Sequence, residues 1–133
     1  MAMNFKEFCQ REKYTWKHKK AFLQVEKKAL GHNTLRGYMH DNDKLFFLYF
    51  LAMLLNKDSK WVHNIHRKHN RHHIENSQVK THNDYIEMII DWECARYTKP
   101  DKPLNAYNTM KKYYPDLEPY ILPIIKELGL NCK

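Results

Sequence analysis

The stretch LFFLYFLAMLL, residues 45–55, is the longest apolar run in the chain. It is 11 residues long, whereas a membrane-spanning helix needs about 20. Its residues are apolar on every side of a helix, so we expect a buried helix near the centre of the fold. Asp43 stands just before the run, at a position suited to capping that helix.

The composition around this run predicts one all-α domain. The chain has 133 residues, 43% hydrophobic and 29% charged, which is typical of a folded domain with its own core. Only three glycines and five prolines interrupt it, and no sustained alternation of apolar and polar residues indicates a strand. We therefore predict a compact helical bundle of about six to eight helices, forming a single domain over residues 1–133.

Apolar periodicity and capping residues predict where the other helices lie. Gly31 should end the first helix, and Asp58 or Ser59 should begin a later one. Pro119 and Pro123 should interrupt or bend the last helix. The predicted helices cover residues 14–30, 58–69, 83–97, 104–113 and 117–128.

The net charge and the cysteine content indicate the type of binding partner and the cellular compartment. The net charge of +8 implies affinity for anions, and a solvated basic surface is as well supported as a nucleic-acid face. The three cysteines form no CxxC pair, which is typical of a reducing compartment. The N-terminus lacks the charged and then apolar segments of a signal peptide, so we expect a cytoplasmic protein without a membrane partner. We expect it to be a monomer or a homodimer.

The segment HDNDK, residues 40–44, contains the first candidate for chemistry. Adjacent His40 and Asp41 offer an imidazole nitrogen and a carboxylate oxygen to one point, a combination that suits Mn, Fe or Zn. Lys44, one helical turn later, would direct its ammonium group at the same point, where a metal-bound phosphate needs a counter-charge.

Histidines are concentrated in a second segment. Five of the nine histidines of the chain lie between residues 63 and 73. We interpret His63 and His69 as parts of a solvated surface, because histidines spaced along a polar helix are usually exposed. His66, His72, His73 and Glu75 belong instead to a specific pattern that also includes Asn70.

Four ordered motifs make the chain resemble the HD phosphohydrolase superfamily, and within it a group of short bacterial and phage proteins. The motifs are an early histidine, an HD-x-x-K stretch, H-x-x-x-N-x-H-H and E-M-x-x-D-W. They occur here as His18, HDNDK (40–44), HRKHNRHH (66–73) and EMIIDW (87–92). The match spans about residues 18–97. Asp43 stands where the group usually has serine, and Ile74 stands where it has an aromatic residue.

The resemblance implies a helical bundle with a metal centre in its core. It implies that one divalent ion (Mn, Fe, Co, Ni or Zn) is bound by His18, His40, Asp41 and Asp91. Asp41 would bridge to a second ion, completed by His66 and either His72 or His73. Lys44 would hold a phosphate oxygen, and Glu75 would steady a ligand imidazole or transfer a proton.

Two alternatives concern single ligands. Asp91 interrupts an apolar face and needs a partner, which an ion pair with Arg96 would supply as well as a metal. His32 competes with His18 for the first ligand position. We assign no role to His82 or to the cysteines.

Three functions are consistent with this sequence. The leading one is a metal-dependent phosphohydrolase acting on a small anionic phosphorylated substrate, a nucleotide or phosphodiester. An HD-type di-iron oxygenase uses a similar ligand set, but it does not require Lys44. The third is a non-catalytic basic module that binds nucleic acid or an acidic partner. As a partner of the protein, nucleic acid is possible but not favoured over a small phosphorylated substrate.

Overall fold

Residues 3–70, 73, 80–94 and 105–130 are described by a computed structural model of the chain, and they contain seven α-helices and no strand. The predicted all-α bundle is therefore confirmed. No helix in these ranges is long and apolar enough to cross a membrane. A π-helical turn, Lys44–Leu48, precedes α3, and a 3₁₀ turn, Pro115–Leu117, precedes α7. The helices are α1 (Phe5–Leu30), α2 (Leu35–Tyr38), α3 (Tyr49–Leu54), α4 (Ser59–His69), α5 (His82–Glu93), α6 (Ala106–Tyr113) and α7 (Glu118–Glu127).

The first helix is longer than predicted because its start depends on a cap rather than on apolar periodicity. The Asn4 side chain accepts a hydrogen bond of 2.8 Å from the backbone N–H of Glu7, which satisfies one of the unpaired donors of the first turn. The helix therefore begins at Phe5 instead of near Tyr14. It ends as predicted, with Gly31 in the left-handed conformation at φ 82°.

Local capping also fixes most of the other helix starts. The Asp58 side chain accepts from the N–H of Trp61 at 3.0 Å, which confirms the predicted start of α4. Thr81 and Asp84 form a reciprocal capping box at the start of α5. The last helix is continuous, since Pro119 lies in its first turn and Pro123 lies inside it without ending it. Residues 95–104, which include the predicted end of α5, lie outside the described ranges.

The apolar run at residues 45–55 is not a fully buried central helix, so that prediction is wrong. Leu48, Tyr49 and Ala52 are buried, but Phe50 is 48% exposed and Leu54 is 63% exposed. The reason is geometric: α3 is short and packs against α1 and α4, so neighbours cover only one of its sides.

Three groups of buried apolar residues hold the bundle together. Those at one end come from α5, α6 and α7, and those at the other end surround Tyr49. The middle group joins α1 to α5 through Phe22, Val25, Ile90 and Cys94. Its Phe22 ring stacks on His40, with ring centroids 3.9 Å apart. The α1–α5 contact therefore positions the polar side chains described next.

Candidate metal centre

Four side chains from three parts of the chain converge between α1 and α5. His18 lies on α1, Asp91 on α5, and His40 and Asp41 in the turn after α2. His18 Nε2 lies 2.7 Å from Asp91 Oδ1 and 3.6 Å from Asp41 Oδ2. His40 Nε2 lies 3.4 Å from His18 Nε2, 3.4 Å from Asp91 Oδ1 and 3.5 Å from Asp41 Oδ2. His18, His40 and Asp91 thus form a group that could hold an ion, and Asp41 Oδ2 lies within 3.6 Å of both imidazoles.

The backbone at Asp41 is unusual and is held from α1. Asp41 has φ 57°, a left-handed conformation that non-glycine residues adopt rarely and that aspartate tolerates better than most. Buried Lys19 donates hydrogen bonds to the carbonyls of Tyr38 and His40 and to the Asn42 side chain. This ammonium group ties the turn to α1, so it positions both His40 and Asp41.

Carboxylates and a thiol behind the imidazoles determine which ring nitrogen faces the centre. His40 Nδ1 donates to Glu87 Oε2 at 2.9 Å, so the Nε2 atom is the one that faces the four-residue centre. His18 Nδ1 lies 3.7 Å from Cys94 Sγ, and that thiol donates to the Asp91 carbonyl at 3.1 Å. A partner on the far nitrogen of this kind orients histidines that bind metals.

His66 extends the centre on the other side of Asp41. Its Nε2 lies 2.9 Å from Asp41 Oδ1, the carboxylate oxygen not turned toward His18 and His40. Its Nδ1 donates to Asp43 Oδ2 at 2.7 Å, and the Asn70 amide donates to the same oxygen at 3.0 Å. Asp43, Asp41 and His66 therefore form a second group able to hold an ion.

Three of these contacts were not predicted from the sequence. Asp43 caps the turn at Lys44 as predicted, accepting from its N–H at 2.9 Å, but it also contacts His66, which was not predicted. Glu87 was predicted only as the first residue of the EMIIDW motif, without a role in the site. It lies one helical turn before Asp91 and so on the same face of α5. Cys94 was given no role, and no local pattern indicates its contact with His18.

Six of the predicted site residues line one cavity of about 240 Å³: His18, Asp41, Lys44, His66, His73 and Asp91. Lys44 and His73 are among its walls, and His73 packs edge-on against the His66 ring at 4.8 Å. His63 is half-buried and also lines it, whereas His69 is exposed. Exposed His32 lines a different cavity. His72, Glu75 and Arg96 lie outside the described residues.

Burial and charge perturb the titration of the centre strongly. Burial by itself favours the neutral imidazoles and so lowers their pKa values. The pKa of His18 is nevertheless raised to about 10 by Cys94 and Asp91. The pKa of His40 is raised to about 10 by Asp41, Asp91 and Glu87. Despite its burial, Asp91 has a pKa well below the ordinary value because it accepts from His18 and is close to His40. The buried carboxylates thus require positive charge, which either protons or a metal ion can supply.

The donor set fits a divalent ion. Zn–N and Zn–O bonds of about 2.1 Å place neighbouring ligand atoms roughly 3.0–3.4 Å apart, close to the 3.4–3.6 Å that separates most of the donor atoms here. Mixed imidazole and carboxylate ligands favour Mn, Fe, Co, Ni or Zn over soft, thiolate-preferring ions. These buried histidines and aspartates can hold a metal ion.

Neither family models, curated proteins nor solved structures give a match to this chain. Membership of the HD superfamily therefore stays a prediction that rests on the four sequence motifs.

Proposed function

We propose that the protein is a metal-dependent phosphohydrolase acting on a small phosphorylated substrate, a nucleotide or phosphodiester. The observation that carries the proposal is the position of the His18–His40–Asp91 group beside a cavity with cationic walls, with Asp41 within 3.6 Å of both imidazoles. Arg11, Lys44 and Arg67 line this cavity. Metal-binding side chains next to several positively charged side chains are the combination that stabilises the transition state of phosphoryl transfer.

The metal ligands are assigned by which nitrogen and oxygen atoms face one another in the centre. His18 Nε2, His40 Nε2, Asp41 Oδ2 and Asp91 Oδ1 would hold a first ion. Asp41 Oδ1 and His66 Nε2, with His73 beside them, would hold a second. Such ions, when bound, polarise a phosphoryl oxygen and make hydroxide available near neutral pH.

The residues behind the ligands keep the imidazoles in the binding tautomer. Glu87 accepts a hydrogen bond from Nδ1 of His40, and Asp43 accepts one from Nδ1 of His66. Each ring therefore presents an unprotonated Nε2 to an ion when one is bound. The Asn70 amide donates to the same Asp43 oxygen as His66. Glu75 as a proton-transfer group stays a prediction, since it lies outside the described residues.

The cationic walls favour a phosphate over other substrates of HD-type centres. Arg11 and Arg67 offer planar forks suited to paired phosphate oxygens, and Lys44 offers a point charge. The cavity of about 240 Å³ is smaller than the roughly 300–1,000 Å³ of sites that enclose a whole ligand. We therefore expect it to hold the phosphoryl group, with the rest of the substrate outside.

Metal analysis followed by an activity panel tests this function. Protein purified without a His-tag or metal column should contain about one or two Mn, Fe, Co, Ni or Zn ions per chain. With that metal, nucleotides and phosphodiesters should release phosphate or a nucleoside monophosphate. Oxygen consumption without phosphate release would favour the di-iron oxygenase instead. A chain that takes up no metal on reconstitution would contradict both.

A further inference from the structure

The exposed charged residues of α1 are all basic. All residues of this helix are described, and each of its exposed charged side chains is a lysine. Its three glutamates, Glu7, Glu12 and Glu26, are half-buried or buried. We call the exposed set the lysine face: Lys6, Lys13, Lys17, Lys20, Lys27 and Lys28.

The spacing of these lysines makes a continuous row. Lys6, Lys13, Lys20 and Lys27 recur every seven residues, which is nearly two turns of an α-helix, so the row drifts by only about 20° per repeat. At a rise of about 1.5 Å per residue, neighbouring members are roughly 10 Å apart and the row is about 32 Å long. No exposed acidic side chain of α1 interrupts it.

This face is separate from the metal centre. The residues of α1 that line the cavity of the metal centre are Arg11, Tyr14, Thr15 and His18. At about 100° per residue, their side of the helix is opposite the lysine face. The lysines therefore do not serve the substrate bound at that cavity, and their alignment needs another explanation.

An exposed aromatic ring lies within the row. Trp16 is 46% exposed in the middle of α1, and Lys20 Nζ lies 5.5 Å from the centre of its ring. Basic side chains that follow a phosphate backbone, combined with an aromatic ring on which a base can stack, are the usual components of single-strand binding surfaces. Lysines, as point charges, contact phosphates without reading bases.

We propose that the lysine face of α1 binds the phosphate backbone of single-stranded nucleic acid independently of sequence. The net charge of +8 supports the encounter, and the row supplies the contacts. This binding requires neither the metal centre nor its activity.

Matched charge variants test the proposal in the full-length protein. The probe is a fluorescein-labelled oligonucleotide of mixed sequence, about 20 nucleotides long, and anisotropy measures its affinity between about 50 and 300 mM KCl. The test variant combines Lys13→Gln, Lys17→Gln and Lys20→Gln. The control variant combines Lys60→Gln, Lys112→Gln and Lys126→Gln, which are exposed lysines of α4, α6 and α7. Both variants lose the same net charge.

The test variant should bind about tenfold or more weakly at low salt, and its plot of log K against log salt should be shallower by about 2. The control variant should stay within about threefold of the natural protein. Equal losses in both variants would show attraction by net charge alone and overturn the proposal. So would absence of binding at low salt, or tighter binding to phosphatidylserine vesicles than to the oligonucleotide.

Discussion

Asp41 is the residue that both candidate ion positions share, since its two carboxylate oxygens face different histidines. Asp41→Asn keeps the shape of the side chain and tolerates the left-handed backbone, so it should fold but bind metal more than about 100-fold more weakly. Asp41→Ala should lose metal and hydrolysis together. Elemental analysis and phosphate release measure both, and unchanged metal content in either variant would contradict the proposed centre.

Glu87 should act on the metal only through His40. Glu87→Gln keeps the volume but removes the charge that favours the Nδ1–H tautomer, so metal affinity should fall about 10- to 100-fold. Titration with a fluorescent metal indicator measures this affinity. Glu93→Gln is the matched control, because Glu93 is a buried glutamate of the same helix whose carboxylate accepts from the backbone N–H of Ala106 at the start of α6. It should lower stability without weakening metal binding, and equal metal loss in both variants would indicate a general structural effect.

Lys44 should contribute to turnover and not to metal binding. Lys44→Ala should keep the metal content but lose about 100-fold in kcat/KM for a phosphate substrate, as happens when one donor to a developing oxyanion is removed. Steady-state kinetics on the best substrate of the panel would measure the loss. Lys57→Ala, which removes an exposed lysine outside the cavity lining, should leave turnover unchanged. Unaltered turnover in Lys44→Ala would remove this lysine from the mechanism.

At the scale of elements, α2 depends on a glycine for its approach to α1. A Cβ atom added at Gly37 would overlap the Glu26 carboxylate, and this carboxylate bonds the N–H and hydroxyl of Thr34, the cap of α2. Gly37→Ala should therefore cost about 1–3 kcal/mol in the free energy of unfolding, measured by urea denaturation.

The same variant should weaken metal binding, because α2 leads directly into the turn that carries His40 and Asp41. Gly31→Ala is the control, since a Cβ there meets open space and only the left-handed backbone opposes it. It should lower stability by about 1 kcal/mol and leave metal affinity unchanged. A Gly37→Ala protein with full stability would contradict the packing of α2 on α1.

Helices were predictable from sequence where a local signal starts or ends them. Asp58 begins α4 and Gly31 ends α1 as predicted, because capping depends on neighbours within a few residues. The start of α1 was missed because its first turns carry no clear apolar periodicity. The exposure of Phe50 and Leu54 was missed because it depends on which side of α3 the other helices cover.

At the scale of the whole molecule, the candidate site could be predicted only in part. His18, His40, Asp41 and Asp91 were named together through the family resemblance, since residues up to 73 positions apart carry no local sign of their contact. Asp43 and Glu87 act behind the imidazoles, so their roles follow from tertiary packing and not from spacing. The lysine face required knowledge of which side of α1 is buried.

The charge balance of the centre links the stability of the whole molecule to pH. His18 and His40 have pKa values raised to about 10 in the folded, metal-free protein, against about 6.5 in an unfolded chain. Their contribution to stability is therefore fully present below about pH 6.5 and is lost as the pH rises toward 10. Asp91, with its lowered pKa, contributes above its ordinary pKa and loses this contribution in acid.

We therefore expect the Tm of the metal-free protein to fall by about 4 °C or more between about pH 6.5 and 9, the shift that roughly 1 kcal/mol causes in a domain of this size. Bound metal displaces these protons and supplies their charge, so the metal-loaded protein should show a much smaller fall. Circular dichroism melts in EDTA and in the matched metal buffer measure both curves. Asp91→Asn should flatten the metal-free curve, because the imidazoles lose a partner that raises their pKa. A metal-free Tm that stays level or rises over this range would show that the imidazoles are neutral in the folded state, and the carboxylates would then need another source of positive charge.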